Sequence, residues 1–161
     1  MAKIGRSDVG KLVASIVACE GAGLIGSIFT TPAISTWYVA LEKPSFTPPN
    51  WVFAPVWASL YALMGVAVFL VWRQGLGQPG VKSAFTLFWV QLVINLMWSV
   101  VFFGWHSILG GAVIIISLWV LVLITMIKFF RLSKVAGGLL VPYLAWLSIA
   151  SALNVWVLIL N

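Results

Sequence analysis

Long apolar runs separated by short polar connections make up most of the chain. A helix needs about 20 apolar residues to cross a bilayer, and continuous runs favour helices over the alternating pattern of a membrane barrel. The pattern predicts five such helices, over residues 9–31, 52–72, 84–104, 108–127 and 138–160. We therefore expect one domain over residues 1–161, an all-α integral membrane protein built as a bundle of five transmembrane helices.

The connection between the first two spans, residues 37–49, is the only long polar segment on its side of the predicted bundle. Trp37 and Tyr38 have flat rings with polar tips, which are typical of the membrane boundary. Prolines cannot continue a helix and favour extended residues before them, so they should stiffen the segment. These prolines are Pro44, Pro48 and Pro49. We expect this long first loop to act as a lid over a site.

Composition excludes an ordinary soluble domain and several kinds of site. Hydrophobic residues make up 63% of the chain and charged residues only 7%, whereas about a quarter is usual for soluble domains. Cys19 is the single cysteine, which excludes an internal disulfide. One histidine and three acids give no cluster with metal-ligand spacing, so we expect no metal site.

The basic residues predict the orientation in the membrane. In the five-span scheme only Lys43 falls on the side of the first loop. The others fall on the opposite side: Lys3, Arg6, Lys11, Arg73, Lys82, Lys128, Arg131 and Lys134. The positive-inside rule then places the N-terminus in the cytoplasm and the first loop and C-terminus outside, which suits a bacterial inner membrane. The net charge of +6 indicates contact with anionic lipid and not nucleic-acid binding.

The first span carries one acid and two rows of small residues. An ionised Glu20 near mid-membrane would cost on the order of 3 kcal/mol or more, so we expect it to face the interior. It is either part of a functional site or a carboxylic acid that donates a hydrogen bond to a neighbouring helix. The rows allow close approach of another helix, so we expect tight packing in the bundle. They are Ala14, Ala18, Ala22 and Gly26, and Ser15, Cys19, Gly23 and Ser27.

Three helix faces combine aromatic and polar residues at helical spacing. They are Phe53, Trp57, Tyr61 and Met64 on the second span, Asn95, Trp98, Ser99 and Phe102 on the third, and Tyr143, Trp146, Ala150, Leu153 and Asn154 on the fifth. Such stripes often serve plain packing. A buried amide left unpaired costs about 1 to 3 kcal/mol, so Asn95 and Asn154 need partners. Those partners are either neighbouring helices or a ligand in an aromatic pocket.

Four motifs in order resemble the translocator protein family, also called tryptophan-rich sensory proteins (TspO/MBR, peripheral-type benzodiazepine receptor). They are Trp37-Tyr38-x-x-Leu41-x-Lys43-Pro44-x-x-x-Pro48-Pro49-x-Trp51, Pro55-x-Trp57-x-x-x-Tyr61-x-x-Met64-Gly65, Asn95-x-x-Trp98-x-x-x-Phe102-Phe103-Gly104, and Leu140-x-Pro142-Tyr143-Leu144-Ala145-Trp146-x-x-x-Ala150-x-x-Leu153-Asn154. On these motifs the chain is identified as a bacterial member of that family.

The resemblance implies a five-helix bundle, often a homodimer, with a pocket that opens toward the first loop. Its ligands would be porphyrins such as protoporphyrin IX and haem, and benzodiazepine-site drugs, with no required cofactor. The implied role is a receptor or transport-type protein in tetrapyrrole handling or stress response. The pocket residues carried over by position are Trp37, Tyr38, Pro48, Trp57, Tyr61, Asn95, Trp98, Trp146, Ala150 and Asn154.

Two other functions stay open at this point. Some bacterial members resemble catalysts of light- and oxygen-dependent porphyrin breakdown, in which Trp37 and Trp146 would be the reactive indoles. The other alternative is a lipid-filled scaffold for a partner protein. The sterol-recognition pattern of animal members needs a Tyr and then a basic residue after Asn154, and this chain lacks both. The resemblance therefore does not extend to sterol binding by that motif.

Overall fold

The computed structural model describes residues 5–161. These residues form seven α-helices and no strand: α1 Arg6–Ser35, α2 Trp37–Ala40, α3 Asn50–Trp72, α4 Val81–Ser99, α5 Ile108–Leu132, α6 Lys134–Leu139 and α7 Val141–Leu160. A π-helical turn, Val100–Gly104, continues α4, and α6 with α7 makes the last span. Five stretches of the described chain are long and apolar enough to cross a membrane, which confirms the predicted all-α, five-span architecture.

Several helix ends differ from the predicted ones. The first span continues through Pro32 to Ser35, and the Thr36 hydroxyl donates to the Pro32 carbonyl at 2.8 Å, which satisfies one acceptor at the helix end. The last span is interrupted at Leu140, two residues before Pro142. A proline has no N–H to donate and disfavours helical backbone before it, so the chain ends α6 and starts α7 there.

Contacts between helix ends define two ends of the bundle. One end carries basic residues of several helices and is called the basic end. There the Lys128 ammonium donates to the Ser83 hydroxyl at 3.3 Å, and the Lys11 ammonium lies 5.8 Å from the Trp72 ring centroid. At the loop end, the ring of Trp37 stacks on His106 with centroids 4.5 Å apart. The helices therefore run up and down, with the first connection and the turn between α4 and α5 on the same side.

The connection between α1 and α3 is held by two sets of hydrogen bonds. The Lys43 ammonium donates to the carbonyls of Tyr38 and Leu41, each at 2.7 Å, which closes the end of α2. The Asn161 side chain accepts from the Glu42 N–H at 3.1 Å and donates to its carbonyl at 3.0 Å. Burial of Tyr38 raises the pKa of its hydroxyl. The segment is thus fastened to the last helix; its action as a lid stays a prediction.

Helix α1 lies at the edge of the bundle and is the least buried of the five spans. A Cβ atom on Gly65 of α3 would lie 2.7 Å from the Ile16 Cα, so the glycine permits the two backbones to approach closely. In the small-residue rows, Ser15, Cys19 and Gly26 are buried, whereas Ala14 and Ala18 are exposed. The close approach expected of this span therefore occurs on the face that meets α3, whereas Ala14 and Ala18 lie outside that contact.

Candidate functional site

A cavity of about 290 Å³ lies between α1, α3 and α4 in the half of the bundle nearer the loop end. On α1 its lining runs from Glu20 to Ile34, which corresponds to a length of about 21 Å at 1.5 Å per residue. Tyr38 and Asn50 border it near the loop end, and Tyr61 and Asn95 lie at its deep end beside Glu20. The cavity is therefore a slot that reaches from the membrane boundary toward mid-membrane.

Aromatic rings form one wall of the slot. Trp57 stacks on Tyr61 one helical turn away, with centroids 5.5 Å apart and planes inclined by 29°. Trp98 on α4 lies 6.4 Å from Trp57 at nearly the same inclination, 30°. The same Trp98 is stacked on Phe102 at 5.6 Å with planes 9° apart. The plane of Trp57 thus lies within about 30° of those of Tyr61 and Trp98, and these three rings line the slot side by side.

A buried chain of hydrogen bonds holds the deep end of this wall. The Tyr61 hydroxyl donates to Asn95 Oδ1 at 2.6 Å, and Asn95 Nδ2 donates to the Tyr143 hydroxyl at 3.0 Å. The Tyr143 hydroxyl in turn donates to Gln91 Oε1 at 3.0 Å. The chain joins α3, α4 and α7, so it fixes the positions of Tyr61 and Asn95 relative to three helices.

A second pair of hydrogen bonds orients Trp98. Its indole N–H donates to Asn154 Oδ1 at 3.3 Å, and Asn154 Nδ2 donates to the Ala150 carbonyl at 2.9 Å. Asn95 and Asn154, the two amides that were predicted to need partners, thus have them on neighbouring helices or on their own helix. Asn154 supports the aromatic wall from behind and does not line the slot.

The predicted site residues fall into two groups. The structure brings together Tyr38, Trp57, Tyr61, Asn95 and Trp98 in the lining. The remaining predicted residues lie outside it: Trp37, Pro48, Trp146, Ala150 and Asn154. Trp37 turns instead toward His106 and Phe102, and Trp146 meets the lining residue Phe53 edge-on, with centroids 5.7 Å apart. The face of the fifth span therefore packs behind the wall, where contact with a ligand stays a prediction.

Helix α1 supplies the wall that sequence reasoning did not assign to the pocket. Its contributions are Gly23, Leu24, Gly26, Ser27, Thr30, Thr31 and Ile34, together with Glu20. A Cβ atom on Gly23 would lie 2.5 Å from the Tyr61 ring, so only glycine leaves room for that ring. The small residues at spacing four were the sequence signal for this wall. Six more lining residues lie beyond the ten predicted ones: Phe53 and Ser99, which belong to the predicted aromatic faces, and Asn50, Ala54, Ala58 and Phe103.

The slot opens at the surface of the bundle between α1 and α3. Exposed residues of both helices belong to its lining, among them Leu24 and Ser27 on α1 and Ala54 and Ala58 on α3. Their helices are membrane spans, so this opening faces the lipid. Within residues 5–161, no three His, Cys, Asp or Glu side chains lie close enough together to hold a metal ion. The site is suited to an apolar ligand that partitions into the bilayer.

A model of the TspO/MBR family matches residues 15–160 of the chain. The chain belongs to the TspO/MBR family. It is 44% identical over 151 residues to the Tryptophan-rich protein TspO of Archaeoglobus fulgidus, covering 94% of this chain and 97% of that one. It is 37% identical over 136 residues to the Translocator protein of Homo sapiens, covering 82% and 80% of the two chains. The resemblance seen in the four motifs is confirmed, and the protein is an integral membrane protein.

Proposed function

We propose that this member of the family is a receptor or transport-type protein that binds porphyrins, such as protoporphyrin IX and haem, and related flat apolar ligands in the slot. Benzodiazepine-site drugs belong to the same ligand class. The observation that carries the proposal is the aromatic wall of Trp57, Tyr61 and Trp98, held by hydrogen bonds beside a lipid-facing opening. Flat rings stack favourably on such a wall. The role we infer is tetrapyrrole handling or a response to stress.

The size of the slot constrains how a porphyrin would bind. Drug-sized ligands occupy pockets of about 300 to 1,000 Å³, and about 290 Å³ lies at the lower limit. A ligand of two or three fused rings fits inside, whereas a tetrapyrrole would enter with one edge and leave the other between α1 and α3. Its carboxylates would then point away from Glu20, since like charges repel. Binding of a whole macrocycle thus depends on the opening.

A titration in the dark tests the proposal. Protoporphyrin IX is added to the detergent-purified protein, to Trp57→Ala, and to the matched control Trp156→Ala, and binding is followed by porphyrin absorbance. Trp156 is exposed on α7 and lies outside the slot. We expect saturable binding that Trp57→Ala weakens about tenfold, equivalent to about 1.4 kcal/mol, while the control changes little. Binding that never saturates, or that both variants weaken alike, would contradict the proposal.

Repeating the titration under light separates the enzymatic alternative. Trp37 and Trp146 lie outside the slot, and Trp146 meets it through Phe53. Light-dependent loss of porphyrin absorbance that disappears in the double variant Trp37→Phe, Trp146→Phe would favour breakdown over reception. A stoichiometric protein partner without saturable porphyrin binding would favour the scaffold.

We also infer the orientation and assembly. The basic end would face the cytoplasm and the loop end the outside of a bacterial inner membrane, because basic residues collect on cytoplasmic loops. The protein would form a homodimer, as the family resemblance implies. Cysteine labelling at Ser45 and Gln78, in the two exposed connections, tests the orientation: only Ser45→Cys should react with an impermeant thiol reagent in intact cells.

A further inference from the structure

The deep end of the slot carries one acidic side chain and no basic one. Glu20 is the only charged residue in the lining that the described residues form, and no basic residue accompanies it. Lys43, the basic residue of the first connection, is engaged at the loop end with the carbonyls of Tyr38 and Leu41. A ligand group that reaches the deep end of the slot therefore meets a carboxyl group and no cation.

Glu20 has no structural partner that accounts for it. Within residues 5–161 its carboxyl group forms neither an ion pair nor a hydrogen bond, so the helix-to-helix hydrogen bond considered from the sequence is absent. The Tyr61 hydroxyl, which belongs to a residue of the same lining, donates to Asn95 instead. An ionisable group at membrane depth is costly unless it is paired. The side chain is thus available to a ligand group.

The aromatic wall, like Glu20, favours a positively charged ligand. The faces of Trp57, Tyr61 and Trp98 carry negative quadrupole charge, which attracts cations that lie over the rings. Indole is the best of the aromatic side chains in this respect. Glu20 and the wall therefore act together on a ligand that is both flat and positively charged.

We propose that Glu20 makes the slot select planar aromatic amines, whose protonated nitrogen reaches the deep end, over equally flat anions. This selection rests on the proposed function, because it assigns a ligand preference to the same slot. It makes Glu20 a specificity-determining residue that touches the ligand. Anionic ligands, including porphyrins, bind with their carboxylates toward the loop end or the opening.

Two probes of equal ring number test the selection. The cation 9-aminoacridine and the anion anthracene-9-carboxylate each have three fused rings, and the binding of either is followed by its own fluorescence anisotropy. The full chain in detergent is compared with Glu20→Gln, which keeps the shape of the side chain without its charge. The matched control is Glu42→Gln, an acid on the exposed first connection. Glu20→Asp, which keeps the acid, is the conservative variant, and Glu20→Ala replaces Glu20→Gln if that variant does not fold.

We expect Glu20→Gln to weaken binding of 9-aminoacridine at least tenfold and to leave anthracene-9-carboxylate unchanged or tighter. Glu42→Gln should change neither probe more than about twofold, and Glu20→Asp should keep the preference for the cation. Equal effects on the two probes, no effect of Glu20→Gln, or loss of the preference in Glu20→Asp would overturn the selection. Protoporphyrin IX is titrated into the same samples. If porphyrin fails to bind while the cation preference holds, the proposed porphyrin function fails and the selection stands.

Discussion

Replacing Tyr143 by Phe tests whether the buried hydrogen-bond chain stabilises the bundle. The variant keeps the ring, which is fully buried, and removes only the hydroxyl. Asn95 Nδ2 then loses its acceptor and Gln91 Oε1 loses its donor. Both side chains are buried, so the atoms left without a partner lower the stability of the fold.

The expected cost follows from those two lost bonds. In water-soluble proteins an unpaired buried group costs about 1 to 3 kcal/mol, whereas hydrogen bonds between membrane helices average about 0.6 kcal/mol and reach about 1.7. For two bonds we therefore expect a loss of about 1 to 3 kcal/mol. For a chain of this size, 1 kcal/mol corresponds to about 2 to 4 °C, so the melting temperature should fall by about 2 to 12 °C.

Thermal melts in one detergent, followed by near-ultraviolet circular dichroism, provide the measurement. Tyr38→Phe is the matched control, because the Tyr38 hydroxyl has no hydrogen bond within residues 5–161. It should melt within about 1 °C of the unmodified protein. A Tyr143→Phe variant that melts together with this control would refute the assignment of stability to the chain. Adding Gln91→Leu to Tyr143→Phe should recover part of the loss, since it removes an unpaired acceptor.

Two further predictions concern helix packing and the first connection. Gly65→Ala should lower the melting temperature, because the new Cβ would lie 2.7 Å from the Ile16 backbone. The control Gly21→Ala has open space around its new Cβ and should leave the melting temperature equal or raise it. Equal melting temperatures of the two variants would refute the close approach of α1 and α3. Asn161→Ala should speed amide hydrogen exchange in residues 41–49, because the Glu42 N–H loses its acceptor. Unchanged exchange would mean that the contact with Asn161 does not hold the connection between α1 and α3.

The number and order of helices could be predicted because lipid imposes a length on each apolar run. Their ends were less predictable. Pro32 lies inside α1, and α5 extends to Leu132, past the predicted end at Ile127. Long basic side chains such as Lys128 and Arg131 can reach the membrane surface from a helix that continues beyond it.

Which faces meet at the slot could be predicted only in part. The face with Trp57 and Tyr61 and the face with Asn95 and Trp98 do line it. The fifth-span face does not, because lipid tails are as apolar as a protein core and leave no hydrophobic contrast that fixes the rotation of a helix. Only side-chain packing fixes the rotation of such a helix. The Tyr61 ring fits against Gly23, so small residues on α1 contribute to that packing.

Closing the opening of the slot tests the account most directly. Ala54→Trp places an indole on an exposed lining position of α3, and the control Ile124→Trp places one on an exposed position of α5 outside the slot. Dark titration with protoporphyrin IX should show at least tenfold weaker binding for Ala54→Trp and unchanged binding for the control. Equal affinities in the two variants would place the ligand elsewhere and contradict the account.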